Sequence, residues 1–138
     1  MQVAGKTILL TGGTDGIGRE LAGQLKAKGA TVIVTGRTPE RIEAAKAAGY
    51  EVIAADLSSP AGVDAILSAV MGRAIDILIN NAGLGTEHDF REAMPDLADH
   101  DSCIAANLNA PIHLITHLMP VLRARPEAMI VNVTSGLA

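Results

Sequence analysis

The sequence predicts an α/β fold built on a doubly wound parallel sheet. Three observations carry that expectation. Short apolar runs rich in β-branched residues alternate with helical patterns, reading strand, helix, strand, helix, strand, helix, strand through residue 79. The runs are apolar on both faces, as strands are when helices cover a sheet from each side. A glycine-rich turn, Thr11-Gly12-Gly13-Thr14-Asp15-Gly16-Ile17-Gly18, joins the first strand to the first helix.

Each element has its own signal. Residues 6–11 read as a buried strand. Residues 19–28 follow as a helix, with Leu21, Ala22 and Leu25 on its apolar side and Gly29 at its end. Residues 31–35 are almost wholly β-branched and form the second strand. Thr38 can cap the next helix, with Pro39 in its first turn and Ile42, Ala45 and Ala48 on one side; Gly49 stops it. Residues 50–55 make the third strand, ending at Asp56. Ser59 and Pro60 repeat the cap-then-proline device ahead of a stripe at Val63, Ile66, Leu67 and Val70. Residues 76–79 open the fourth strand, which runs into Asn80-Asn81-Ala82-Gly83. Right-handed crossovers fix the hand of such a sheet.

Residues 84–95 form a polar, acidic connection with one aromatic, Phe90. A helical pattern then runs over 96–123, roughly 40 Å at ~1.5 Å per residue. Ile104, Leu108, Ile112, Ile115, Leu118, Met119 and Leu122 recur along it at three- and four-residue spacing. Pro111 removes one helix hydrogen bond and should kink or loosen the rod. Residues 128–134 read as a fifth strand, followed at once by Ser135-Gly136-Leu137-Ala138. No repeat period or low-complexity linker divides the chain, so 1–138 is read as one domain.

A glycine turn between strand and helix can hold phosphate. Backbone without Cβ comes close to an anion, and the first N–H groups of the helix face it unpaired, with the helix dipole adding positive character. The spacing here is Gly-x3-Gly-x-Gly, not the Gly-x-Gly-x-x-Gly of the common dinucleotide fingerprint. Taken alone, the turn has a second, weaker reading as a tight bend that lets a helix pack on a sheet.

Composition narrows the function classes. Apolar residues make up 49% of 138, enough for a substantial core, and the net charge of −4 argues against a nucleic-acid or anionic-membrane partner. With only Tyr50 and Phe90 as aromatics, no base-stacking platform is available. Lone Cys103 excludes an internal disulfide framework and is expected to be a small buried apolar residue. No signal-peptide core and no apolar run of about 20 residues occurs, so a cytoplasmic, soluble protein is expected. His113 and His117 share a helix face but lack a convincing third metal ligand, and no metal site is expected. His88 and His100 are expected at the surface. The charges at Arg37, Glu40, Arg41 and Glu43 read most simply as a solvated helix start.

The motifs together resemble the short-chain dehydrogenase/reductase family. Thr11-Gly-Gly-Thr-Asp-Gly-Ile-Gly18, Asp56-Leu57, Asn80-Asn-Ala-Gly83, Asn107 in the long helix and Asn132-Val-Thr-Ser135 occur in that family's order, over all 138 residues. Asn107-Leu-Asn-Ala-Pro-Ile112 and the closing Asn-Val-Thr-Ser-Gly-Leu-Ala look like the branch associated with teichoic-acid D-alanylation. The resemblance implies a Rossmann-like sheet that holds a nicotinamide dinucleotide at the carboxyl ends of its strands, where ligands of such sheets sit. It implies that Gly12, Thr14, Asp15, Gly16, Ile17 and Gly18 line the phosphate turn. Asp56 would bond the adenine amino group, helped by the Leu57 backbone, and Asn81, Ala82 and Gly83 would approach the riboses. Asn80 is read as tying neighbouring strands together.

Cofactor choice rests on the end of the second strand. An acid about 20 residues past the glycines ordinarily binds the ribose hydroxyls of NAD. Gly36 stands in that place and Arg37 follows it. A guanidinium can take a 2′-phosphate with charge-assisted bonds, so NADP(H) is expected over NAD(H), with NAD(H) still open. The bland reading of Arg37 is a solvated loop charge.

For catalysis the resemblance implies Ser135 as the group that bonds the substrate oxygen, and Asn107 as a support for a water relay. Alternatives stay open: Ser135 can satisfy backbone at a strand end, and Asn107 can support the helix kink. The family's tyrosine and the lysine four residues after it are expected beyond Ser135. Tyr50 lies far upstream and does not fit. The expectation is therefore a sheet incomplete at its C-terminus, lacking the last strands and the Tyr-x-x-x-Lys helix. Such a chain would bind cofactor but be inactive alone, within an oxidoreductase acting on a small carbonyl or alcohol substrate. Its exposed fifth strand and long helix would favour self-association, and a homo-oligomer is expected. The rival reading is a non-catalytic NADP(H) sensor or assembly module.

Overall fold

A computed structural model describes residues 1–89, 91 and 96–136. Phe90 and Pro95 of the polar connection, and the closing Leu137 and Ala138, lie outside the described residues. Five parallel strands form one sheet in the order β3-β2-β1-β4-β5. They are β1 (Thr7–Leu10), β2 (Thr31–Gly36), β3 (Glu51–Ala54), β4 (Ile77–Asn80) and β5 (Met129–Asn132). Helices α1 (Gly16–Ala27), α2 (Pro39–Ala47) and α3 (Pro60–Val70) make the crossovers between the first four strands, and α4 (Leu97–Ile104) and α5 (Ala110–Arg123) precede β5. This is the doubly wound sheet that the alternation predicts.

Alternation along the strands divides the core into two layers. Leu9, Ile33, Ile53 and Leu78 pack with Ile66 and Val70 of α3 and Leu114 and Leu118 of α5. Ile8, Leu10, Val32, Val34, Ile77 and Ile79 pack on the other side with Ala22 of α1, flanked by Leu21 and Leu25. The register sets Leu9 between Ile33 and Leu78, all three without solvent contact. Each such side chain contributes about 1.5–3 kcal/mol of burial.

Local signals hold at some ends and not at others. The Ser59 hydroxyl accepts from the Gly62 N–H at 3.4 Å, as a cap should. Thr38 stands at the N-cap of α2 but makes no side-chain cap bond, so Pro39 alone marks that start. The expected ties at Asn80 are present: its Nδ2 donates to Asn132 Oδ1 at 2.8 Å, joining β4 to β5.

The pattern at 96–123 is not one rod. A π turn, Ala105–Asn109, separates α4 from α5, and the Ala110 N–H reaches back five residues to the Ala105 carbonyl. Pro111 cannot donate to the Asn107 carbonyl, and its ring crowds that oxygen. Widening the preceding turn relieves the conflict, so the discontinuity falls just before the proline. The buried stripe differs from the expected one in its first half, while Leu118 and Leu122 are buried as expected. Ala106, Ala110, Leu114, Leu118 and Leu122 face the core, while Ile104, Leu108 and Ile112 are each more than half exposed.

At the amino ends of the strands, Asp76 is buried and accepts the Thr7 N–H at 2.8 Å and Arg125 Nε at 2.7 Å. This joins β1, β4 and the segment entering β5. Burial works to raise the Asp76 pKa, and the Thr7 and Arg125 bonds with the charges of Arg125 and Lys6 outweigh it, leaving it below the ordinary value.

Expectations change at Cys103 and at His88 with His100, while His113 and His117 stay an ordinary helical pair. Cys103 is half-buried, with Sγ 3.8 Å from the Thr86 hydroxyl. His88 and His100 are half-buried rather than at the surface, with rings edge to face at 5.1 Å. His113 and His117 are exposed, and His117 Nδ1 lies 2.8 Å from the His113 carbonyl. No helix among the described residues is long and apolar enough to cross a membrane.

Candidate cofactor site

A cavity of about 390 Å³ opens at the carboxyl ends of β1 to β4. It lies where the strand order reverses between β1 and β4, the place at which open α/β sheets bind ligands. The twelve residues singled out above as cofactor-binding all line it.

The turn after β1 forms the first wall. Gly12 has φ +68, and a Cβ there would lie 2.9 Å from Ala82 Cα; a Cβ on Gly18 would overlap the Gly12 carbonyl oxygen. Only backbone fits at these two points, so the turn lies flat against the segment leaving β4. The Gly12 N–H donates to Thr35 Oγ1 at 3.2 Å and the Gly13 N–H to the Thr35 carbonyl at 3.0 Å. Thr11 Oγ1 accepts from the N–H groups of Asn81 and Ala82, each at 3.0 Å. These bonds pin the turn from both neighbouring strands. Thr14, Asp15, Gly16 and Ile17 continue the wall, and α1 starts at Gly16, so its first N–H groups have no helical partner.

β2 supplies the second wall with Gly36, Arg37 and Thr38. A Cβ on Gly36 would overlap the Thr14 hydroxyl and lie 2.6 Å from its Cγ2 and 3.0 Å from its Cβ. Thr14 is buried and β-branched, so it cannot swing far. The side chain of Thr14 thus fills the place into which an acid at position 36 would have to grow.

Past β3 come Asp56, Leu57 and Ser58. Asp56 Oδ1 accepts from the Ser58 N–H at 3.0 Å and the Ser58 hydroxyl at 2.8 Å. These two bonds, the backbone one foremost, hold the Asp56 pKa below the ordinary value against burial, with help from the Arg37 charge. The Leu57 side chain is buried in the core, which leaves its backbone for the cavity.

Past β4, Asn81, Ala82, Gly83 and Leu84 close the cavity. The Asn81 amide is already engaged: Nδ2 donates to the carbonyls of Thr11 at 3.1 Å and Gly12 at 3.3 Å. Its side chain therefore braces the glycine turn, a role the sequence reading did not give it.

Asn107 and Ser135 are not on the lining. Asn107 Oδ1 accepts from the Leu84 N–H at 2.8 Å and Nδ2 donates to the Leu84 carbonyl at 2.7 Å. Its side chain is spent on holding the loop beside the cavity, within the π turn. Ser135 follows β5 by three residues, on the same rim of the sheet. The charged lining residue that sequence reasoning missed is Arg41. It lines the cavity, and its Nη1 lies 2.7 Å from Asp15 Oδ2. The signal was its place one turn into a helix that starts directly at a strand's carboxyl end.

Comparisons with known proteins agree with this fold. The sequence model of the family described as "short chain dehydrogenase" matches residues 6–138. The "Uncharacterized oxidoreductase DltE" of Bacillus subtilis is 36% identical over 142 residues, covering 100% of this chain and 56% of that protein. A metagenomic short-chain oxidoreductase in complex with NADP superposes with a TM-score of 0.79 at 33% identity, over 98% of this chain and 63% of its own. L-Sorbose reductase from Gluconobacter frateurii, complexed with NADPH and L-sorbose, gives 0.81 at 29% identity, over 96% and 54%. The chain spans about half the length of the curated relatives it matches.

Proposed function

The chain belongs to the short-chain dehydrogenase family, and on that premise we propose that its cavity holds NADP(H) in preference to NAD(H), in an oxidoreductase acting on a small carbonyl or alcohol substrate. The observation that carries the preference is the contact of Thr14 with Gly36. An acid at position 36 is what a ribose diol would call for, and Thr14 occupies its space. Arg37 stands next in sequence on the same wall. A guanidinium there suits a 2′-phosphate, and solved relatives of this fold carry NADP or NADPH.

The residues present fit such a dinucleotide. The backbone of Gly12 to Gly18 would hold the diphosphate, Arg37 the 2′-phosphate, and Asp56 with the Leu57 backbone the adenine. Asn81 to Gly83 would lie along the riboses. When bound, the nicotinamide supplies or accepts the hydride. Ser135 would bond the substrate oxygen at the rim. The Asn107 side chain is committed to Leu84, so any relay through this residue would use its carbonyl, to which Pro111 cannot donate. The 138 residues contain a single tyrosine, Tyr50, lying under Lys26 Nζ at 4.5 Å from the ring centre. No Tyr-x-x-x-Lys occurs in them, so they are expected to bind cofactor without turning over; steady hydride transfer by these residues alone would contradict this.

Fluorescence titration of the purified chain with NADPH and NADH tests the reading. One or two charge-assisted bonds to a 2′-phosphate correspond to about 10- to 100-fold tighter NADPH binding. Equal affinities, or tighter NADH, would overturn the preference.

A further inference from the structure

Four charged groups, two acidic and two basic, lie around the cavity. Arg37 acts on Asp56, whose carboxylate is held by Ser58. Arg41 contacts Asp15 directly, at 2.7 Å. Asp15 is the N-cap of α1, yet its side chain makes no cap bond, so the first turn of the helix does not hold it. Arg41 is the third residue of α2. The contact therefore spans the cavity from the glycine turn to the helix after β2, and all four charged groups lie on one lining. Both partners are about half exposed, at 54% and 52%, where an ion pair is weak and exchanges readily.

We propose that Asp15 and Arg41 form an exchangeable pair that sets the discrimination between phosphorylated and unphosphorylated dinucleotide: a 2′-phosphate displaces the Asp15 carboxylate from Arg41. The inference rests on the dinucleotide reading of the cavity and extends it to two residues outside the Gly36–Arg37 site. A dianion offers Arg41 more charge and more acceptor oxygens than one carboxylate, and the guanidinium fork suits it. Asp15 plays the opposite part. It neutralises Arg41 when no phosphate is present and repels the phosphate when it arrives. A ribose 2′-hydroxyl displaces nothing, so NADH binding leaves the pair closed.

Two substitutions and their combination test this, with NADPH and NADH dissociation constants measured for each. Asp15→Asn keeps the side chain's size and removes no cap bond. It should raise the NADPH-over-NADH ratio by about three- to tenfold, the scale of a half-exposed charged contact. Arg41→Ala should lower that ratio by a similar factor. In the double variant, D15N should give no gain, because its benefit passes through Arg41. Thermal unfolding by circular dichroism checks that each variant is folded. An unchanged ratio in both single variants, or a full D15N gain without Arg41, would overturn the exchange. Failure of the wild-type chain to bind either dinucleotide would overturn the cavity reading itself, an outcome distinct from binding both with ratios that the substitutions do not move.

Discussion

Asn107 holds Leu84 by both of its backbone groups, accepting from the N–H at 2.8 Å and donating to the carbonyl at 2.7 Å. The first side chain sits in the π turn, and the second backbone lines the cavity. Asn107→Ala should cost about 1 kcal/mol in chemical denaturation, since the bonds are near the surface. It should also weaken NADPH binding severalfold by loosening residues 81–84. Asn107→Asp should be worse, because a carboxylate would face the Leu84 carbonyl. Unchanged cofactor affinity in both variants would separate this grip from the site.

The contact of Thr14 with Gly36 predicts a non-additive pair. Gly36→Asp alone should destabilise the fold and weaken both dinucleotides, since the new side chain has no room. Thr14→Ala removes the hydroxyl and methyl that stand in the way. The double variant should recover binding and move the preference toward NADH. Recovery is read as the ratio of dissociation constants, and a G36D single variant that already prefers NADH would refute the steric account.

Acid should unfold the protein partly through Asp76. Its folded pKa lies below the ordinary value, despite burial, because of Thr7 and Arg125. The stabilisation is thus full above the unfolded-state pKa, about 3.9, and is lost as pH falls through the lower folded value. Asp76→Asn should flatten the acid limb of the stability curve without abolishing it, since Asp56 and Asp89 are also depressed, by bonds to Ser58 and to Arg91 respectively. Arg125→Ala should cost about 1–3 kcal/mol at neutral pH, leaving a buried carboxylate with less compensation. Urea unfolding between pH 3 and 7 would show both.

Ile104, Leu108 and Ile112 lie four residues apart and stay exposed at 52%, 55% and 51%. A stripe of this kind favours association. Sedimentation velocity should show concentration-dependent oligomers, and Leu108→Lys should shift the distribution toward monomer. A monomer at all concentrations in the unsubstituted chain would remove the homo-oligomer proposal.

Much of this was legible in the sequence because its signals are local. The glycine turn, the Ser59 cap and the Asn-Asn-Ala-Gly segment each declare themselves within a few residues, and the alternation of strands and helices orders the sheet. What was not legible depends on elements meeting in space. Thr14 and Gly36 are far apart in the chain and touch only because β1 and β2 pair. Arg41 reads as a solvated charge until α2 is laid against the sheet. Asn81 resembled a ligand contact, but its amide turns inward to the glycine bend. In the long helix, small Ala106 and Ala110 face the core while larger Ile104 and Leu108 do not. Side-chain size pointed to the wrong residues in the first half of the pattern, whereas Leu118 and Leu122 are buried as expected.

The Asp76 staple lies at the opposite rim of the sheet from the cavity, on residues that no dinucleotide would touch. Substitutions at one rim need not compromise the other. A library that varies positions 15, 37 and 41 could therefore be screened for altered cofactor use while Thr7, Asp76 and Arg125 stay fixed, with most members expected to remain expressible.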